Sequence, residues 1–368
     1  MAAAVGIGRF IYTPILPFMA ADLKLTTGAA GIIASANFLG YLIGAVAAGL
    51  IGIRQRQRDA LLIALAVSAA TTGLMAAASS MGAFLALRLA GGAASAVVLV
   101  LGSSLVLERL ARADRGRLSA VHFSGVGAGI AASAVVTWAS VRLGGDWRAI
   151  WLGGSALAGL ALILVAVLLP GEQARAVMPD APRPDGARRL WRLVAAYGLF
   201  GFGYVITATF IVAVVRGAGM SRDLEVAIWL AVGLAAVVSV PGWTAVGRRV
   251  GILPAFAIAC LVEAAGVASS VVFTSPAGLI AAGILLGGTF MGITALGLMA
   301  GRVLTAGDPR RSLAALTAAF GLGQMIGPPV AGYGHDLTGD FVFASMLAAA
   351  ALVLAAGLAV SIDRAVTR

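Results

Sequence analysis

The sequence predicts an all-α membrane protein with twelve transmembrane helices in two pseudo-symmetric six-helix bundles. Three observations carry that reading. Of the 368 residues, 61% are hydrophobic and only 11% charged, and the mean hydropathy is +1.01; a soluble domain is about half apolar and about a quarter charged. The basic residues fall in short clusters between apolar segments. Finally, the chain echoes itself at an offset of about 195 residues.

The elements follow from the thickness of a bilayer. Its hydrocarbon core is roughly 30 Å, so a helix rising about 1.5 Å per residue needs about 20 apolar residues to span it. Such stretches occupy 1–21, 27–52, 60–79, 82–107, 117–142, 148–169, 190–215, 223–246, 251–273, 277–304, 311–334 and 341–362. They leave no long polar segment for a soluble domain. The first is short on its N-terminal side, with Met1 eight residues before Arg9. It has no basic region before it and no small-residue cleavage site after it, so it reads as a retained span and not as a signal peptide.

Between the sixth and seventh spans, residues 170–189 carry four of the twelve prolines and no apolar period. This segment reads as a flexible linker between an N-terminal bundle (1–169) and a C-terminal bundle (190–368). The echoes join the halves: GIGRFIY at 6–12 answers GFGYVIT at 201–207, and RGRLSA at 115–120 answers RRSLAA at 310–315. The glycine-rich run at 125–130 answers the one at 321–332. Duplication of six helices points to a solute site midway through the membrane, between the halves.

Lysines and arginines fix the orientation. One set of connectors holds 19 of the 26, and the other holds five: Lys24, Arg142, Arg148, Arg216 and Arg222. That bias places both termini in the cytoplasm. The net charge of +11 is thereby explained without nucleic acid. Cys260 is the single cysteine, which excludes an intramolecular disulfide. The two histidines, one cysteine and one buried acid stand at no ligand or triad spacing, so neither a metal centre nor a catalytic triad is expected. We therefore expect no enzyme and no cofactor, but a monomer whose partners are the lipid bilayer, a small-molecule solute and a candidate coupling proton.

Several stretches resemble the major facilitator superfamily. Arg88 and Gly92 in RLAGG are similar to its fourth-helix Arg-x-x-x-Gly element. Gly323, Gly327, Pro328 and Gly332 are similar to its glycine-proline element, here in helix 11. VGRRVG at 246–251 is a degenerate form of its basic loop, and IRQRQRD at 53–59 is a weaker one. GIGRFIYTPILPFM, ASANFLGYLIGA, HFSGVGAGI, DWRAIWL and YGLFGFGYVITATF resemble its YbfB/YjiJ-type branch. The resemblance implies the major facilitator fold and a transporter of the bacterial inner membrane. It implies that helices 1, 4, 7 and 10 line a central cavity, and it implies no particular substrate.

A charge at the centre of a membrane helix costs on the order of 3 kcal/mol on insertion scales. Arg9, Arg88 and Glu263 pay that cost. A guanidinium stays charged and grips a carboxylate or phosphate with two parallel bonds, so Arg9 and Arg88 are candidates for contact with an anionic solute. The alternative for either arginine is to tie helix ends through backbone carbonyls. Glu263 and His122 are candidates for carrying a coupling proton, and His122 is also a candidate for solute contact. Each has a structural alternative, a hydrogen bond to a neighbouring helix. His335, beside Asp336, reads as interfacial. Tyr12, Asn37, Tyr41, Tyr204, Thr207 and Gln324 complete the expected substrate-binding set, since polar side chains at membrane depth need partners. Glycines four apart, as in Gly40 and Gly44, let helix backbones approach closely.

The leading expectation is alternating-access transport of a small organic solute of carboxylate type, anionic or zwitterionic. Efflux of amphiphilic toxic compounds stays open, as does a receptor or sensor built on a transporter scaffold. A channel is disfavoured by the lack of a pore loop or charged ring.

Overall fold

The computed structural model describes residues 1–50, 57–115, 118–169, 187–304 and 309–363. Most of the expected linker falls outside the described residues. All regular structure among them is helical. A π-helical turn, Ala2–Ile7, precedes α1 (Tyr12–Leu23), α2 (Thr27–Leu50), α3 (Gln57–Leu74), α4 (Met81–Arg112), α5 (Ser119–Arg142) and α6 (Trp147–Leu168). After the linker follow α7 (Ala187–Gly217), α8 (Arg222–Val250), α9 (Ile252–Val272), α10 (Pro276–Leu304), α11 (Pro309–Thr338) and α12 (Val342–Asp363). Side-chain oxygens cap several of these helices: Thr26 at α2, Ser80 at α4, Asp146 at α6, Ser221 at α8 and Ser275 at α10 accept from backbone N–H groups of the first turn, as short polar residues at that position do.

Eleven stretches among the described residues are long and apolar enough to cross a membrane, counting Ala2–Leu23 as one. The remaining helix, α3, has 18 residues, opens on Gln57, Arg58 and Asp59, and carries buried Ser68, Thr71 and Thr72. That polarity separates it from the other eleven. It nonetheless packs against α4 and α6 as its neighbours do.

The first span is not one continuous helix. Pro14 has no N–H to give to the carbonyl of Phe10, four residues back. The N–H of Thr13 bonds Phe10 instead, at 3.2 Å, and is lost to the carbonyl of Arg9. Upstream, the N–H of Gly8 reaches back five residues to Ala3 at 2.8 Å. The result is a wide turn at Gly8–Ile11, of a kind often found at functional positions.

Helix pairings recur with an offset of six. α2 packs on α4 as α8 packs on α10, α3 on α6 as α9 on α12, and the π-turn on α5 as α7 on α11. Lipid offers no hydrophobic drive for such contacts, so close packing must supply it. Gly40 and Gly44 of α2 lie directly on the backbone of α4 at Leu89 and Ala93, where an added methyl group would collide.

The two most extensive seams between the first six helices and the last six are α2 with α11 and α5 with α8, and each uses the same device. Pro329 in α11 leaves the carbonyl of Met325 without its helical donor, and the Ser35 hydroxyl of α2 donates to it. Pro241 in α8 likewise frees the carbonyl of Val237, and the Ser124 hydroxyl of α5 donates to that one. Trp229 Nε1 adds a bond to Ser133 Oγ at 2.9 Å, and Thr13 Oγ1 donates to Ala208 O at 2.7 Å. At the end where α2 begins, the N–H groups of Thr27 and Gly28 donate to the Asp336 carboxylate at 2.9 and 2.8 Å. Arg142 pairs with Asp223 there at 3.0 Å. That end is closed.

Candidate functional site

The wide turn at Gly8–Ile11 projects Arg9 from α1's N-terminal side toward the C-terminal helices. Arg9 is 6% exposed. Its guanidinium lies over the rings of Tyr41 (4.5 Å), Phe38 (4.7 Å) and Phe10 (5.5 Å), with the Tyr41 hydroxyl in reach. Nε and Nη2 have no hydrogen-bond partner among the described residues. Aromatic faces attract a cation but leave its N–H groups unused.

Opposite Arg9 stand residues of the last six helices. Gly323 of α11 lies against the backbone of α7 at Gly198–Phe202, which brings the next residue, Gln324, onto Tyr204. Gln324 Nε2 donates to the Tyr204 hydroxyl, while its Oε1 has no partner among the described residues. Tyr204 stacks between Phe290 and Phe320, at 5.6 and 5.7 Å, and Phe290 meets Phe10 edge-on at 5.8 Å across the junction. Tyr204 lies within electrostatic range of both Arg9 and Tyr41. Arg9, Tyr41, Tyr204 and Gln324 are thus one cluster, built from α1, α2, α7 and α11 and walled by aromatic rings. Thr207, one turn along α7 from Tyr204, is buried, and its hydroxyl has no partner among the described residues.

Arg88 is 4% exposed, and among the described residues only its Nε lacks a hydrogen-bond partner. Nη1 donates to Gly8 O at 3.1 Å and Nη2 to Arg9 O at 3.2 Å, the carbonyls of the wide turn. Its side chain is covered by Tyr12 and Trp151, at 5.0 and 6.0 Å from the ring centroids. Asn37 Nδ2 donates to Arg88 O at 2.9 Å, and the Tyr12 hydroxyl donates to Ala30 O at 2.9 Å. Arg88 therefore holds the backbone from which Arg9 projects, while Asn37 ties α2 to α4 and Tyr12 ties α1 to α2. Both Arg88 bonds are of the carbonyl-tying kind weighed for a buried arginine.

His122 stands apart from the cluster. Its Nε2 meets Ser103 Oγ at 3.3 Å, joining α5 to α4, and its ring rests on Phe123. His335 Nδ1 meets Thr27 Oγ1 at 3.0 Å in the closed end. Glu263 is fully buried in α9, and neither carboxylate oxygen has a partner among the described residues.

Sequence reasoning missed the aromatic walls. Phe10 adjoins Arg9 and Phe38 adjoins Asn37 in the chain, so both were within sight of residues singled out for polarity. Phe290 follows Thr289 and Phe320 lies one turn before Gln324, but nothing in a single sequence set either ring apart from packing residues. Among the described residues, no group of three or more His, Cys, Asp or Glu side chains is arranged to hold a metal ion.

No curated protein matches the chain. A family model described as "Uncharacterised MFS-type transporter YbfB" matches residues 1–360. With nearly its whole length matched, and with the apolar helices and buried cluster described above, the chain belongs to this family of major facilitator transporters.

Proposed function

We propose that the protein is a secondary active transporter. In this reading, two pseudo-symmetric six-helix bundles rock about a midplane site and carry a small anionic or zwitterionic solute of carboxylate type across the bacterial inner membrane. The helix pairings that recur at an offset of six support the two-bundle arrangement, and the 19-to-5 distribution of basic residues supports cytoplasmic termini. The Arg9 guanidinium carries the assignment of solute charge: it is buried at the junction of the halves with two nitrogens unpartnered. Leaving a buried cation short of partners is costly, and a carboxylate gripped in parallel by both N–H groups would repay the cost. Phe10, Phe38 and Phe290 around it favour an anion with an apolar body.

Uptake of radiolabelled carboxylates into proteoliposomes tests this. We expect flux of at least one carboxylate in the wild type and loss of that flux in Arg9→Gln with protein insertion intact. The aromatic walls also suit an amphiphile without negative charge. Absence of any anion flux, together with drug resistance on overexpression, would replace this reading with efflux.

A further inference from the structure

Arg9 and Tyr204 occupy the same position in the two halves. Gly6 lies on the α5 backbone at Val126 and Gly129, and Gly201 lies on the α11 backbone at Phe320. Arg9 and Tyr204 each follow that glycine by three residues, in GIGR and GFGY. Four residues beyond the contact at Phe320, α11 carries Gln324; four beyond Val126, α5 carries Ile130. The C-terminal half thus has a polar mate for its tyrosine, with Gln324 Nε2 donating to the Tyr204 hydroxyl. The N-terminal half has an apolar residue at the matching place.

Contacts along the α2–α11 seam set the depth of these groups. Ser35 of α2 donates to the carbonyl of Met325, and Gly321 of α11 lies against Leu42. Phe38 and Tyr41, the rings against which the Arg9 guanidinium rests, stand between Ser35 and Leu42 in the chain. Gln324 stands between Gly321 and Met325. Arg9 and Gln324 therefore share one level of the junction. Two guanidinium nitrogens lack an acceptor and Gln324 Oε1 lacks a donor among the described residues. Gln324 is 0% exposed and Arg9 6%, so bulk water supplies neither. Each would satisfy the other, yet no bond joins them. A buried polar group left without its partner is costly, and a molecule bearing both an acceptor and a donor would satisfy the two at once.

We propose that the solute carries a hydroxyl group besides its carboxylate and that Gln324 Oε1 accepts from it, so the protein takes a hydroxycarboxylic acid with an apolar body. The inference rests on the solute reading above and narrows it. Arg9 grips the carboxylate from the N-terminal half and Gln324 takes the hydroxyl from the C-terminal half, so a molecule with both groups bridges the junction. The bond from Nε2 to Tyr204 anchors the amide and leaves its oxygen, which can only accept, as the free end. A hydroxyl suits this place better than an ammonium. No acid pairs with Arg9 among the described residues, and a second buried cation beside it would stand uncompensated.

Binding titrations on the full-length protein in lipid nanodiscs decide this with matched sets of acids. Each set shares one apolar body, from short alkyl to phenyl, presented as the plain acid, the hydroxy acid, the amino acid and the dicarboxylic acid. In the wild type, the hydroxy acid of at least one set should bind roughly 5- to 150-fold more tightly than its plain acid, the range for a buried acceptor that gains its donor. In Gln324→Met, similar in length but without the amide, the plain and hydroxy acids should bind alike. Equal binding of the two by the wild type in every set overturns the proposal, and so does a hydroxyl preference that survives in Gln324→Met. Tightest binding of a dicarboxylic acid overturns it by placing the amide nitrogen toward the solute, and tightest binding of an amino acid by placing an ammonium there. Should Gln324→Met misfold, the wild-type comparison decides alone. Failure of the solute reading looks different: no acid of any set binds, and both readings fall together.

Discussion

Arg9 and Arg88 are the same residue type, buried to within two percentage points of each other in the same half of the molecule, and their surroundings differ in kind. Arg88 faces the two carbonyls of the wide turn in α1 and bonds both. Arg9 faces aromatic rings and keeps two nitrogens unpartnered. The two differ in how much hydrogen-bonding capacity is unspent: among the described residues Arg88 leaves Nε alone without a partner, and Arg9 leaves Nε and Nη2. The two are also connected, because Arg88 bonds the carbonyl of Arg9 itself. One guanidinium sets the backbone that aims the other.

Substitutions at the two positions should separate fold from function. Arg88→Leu strips both carbonyls of charged donors in a setting without water, which should destabilise the protein by about 3–6 kcal/mol, at about 1.5–3 kcal/mol for each bond to a charged group. Thermal unfolding in detergent measures this. Arg88→Lys should recover only part, since an ammonium cannot reproduce the planar fork. Arg9→Gln should change stability by less than about 1 kcal/mol, because it removes an incompletely paired charge. It should weaken carboxylate binding by about 2–3 kcal/mol, roughly 30- to 150-fold in Kd. If both variants lost stability equally, the contrast between the arginines would collapse.

Smaller effects should come from the seams. Ser35→Ala and Ser124→Ala each bare a carbonyl already deprived of its donor by Pro329 or Pro241. Each should cost about 0.5–1 kcal/mol and show as easier separation of the halves in spin-label distances, with the helices themselves intact. The exposed Arg142–Asp223 pair, with side chains 60% and 68% accessible, should matter least. Asp223→Asn should shift opening by less than about 0.5 kcal/mol, and added salt should erase the shift. Asp146 gives a pH counterpart at the surface. Burial nudges its carboxyl up, but the hydrogen bond from the Arg148 side chain and those from the N–H groups of Ala149 and Arg148 together hold it below the usual carboxylate range. Its contribution to the α6 cap is present above the ordinary carboxylate pKa and fades as pH falls below it. Asp146→Asn should flatten that small acid-side loss in thermal scans.

How much could be read from the sequence follows the same division. Hydropathy located the helices because lipid imposes length and composition directly, and the cost of a buried charge brought Arg9, Arg88 and Glu263 forward. Periodicity could not tell the two arginines apart. Their difference depends on a hydrogen-bond register displaced by Pro14, and on which carbonyls that displacement leaves bare across the gap from α4. The cluster around Arg9 is assembled from helices far apart in the chain, so Phe290 and Phe320 gave no local signal. The chemistry of His122 made it a candidate for the coupling proton, and the chain alone gave no sign of its contact with Ser103.

The most direct measurement is thermal-shift binding of a panel of carboxylates, cations and neutral amphiphiles to the purified wild type and to Arg9→Gln. The account predicts that carboxylates with an apolar body raise the melting temperature of the wild type and leave Arg9→Gln unmoved. Equal stabilisation of both proteins by the same carboxylates, or stabilisation of the wild type by cations alone, would contradict it.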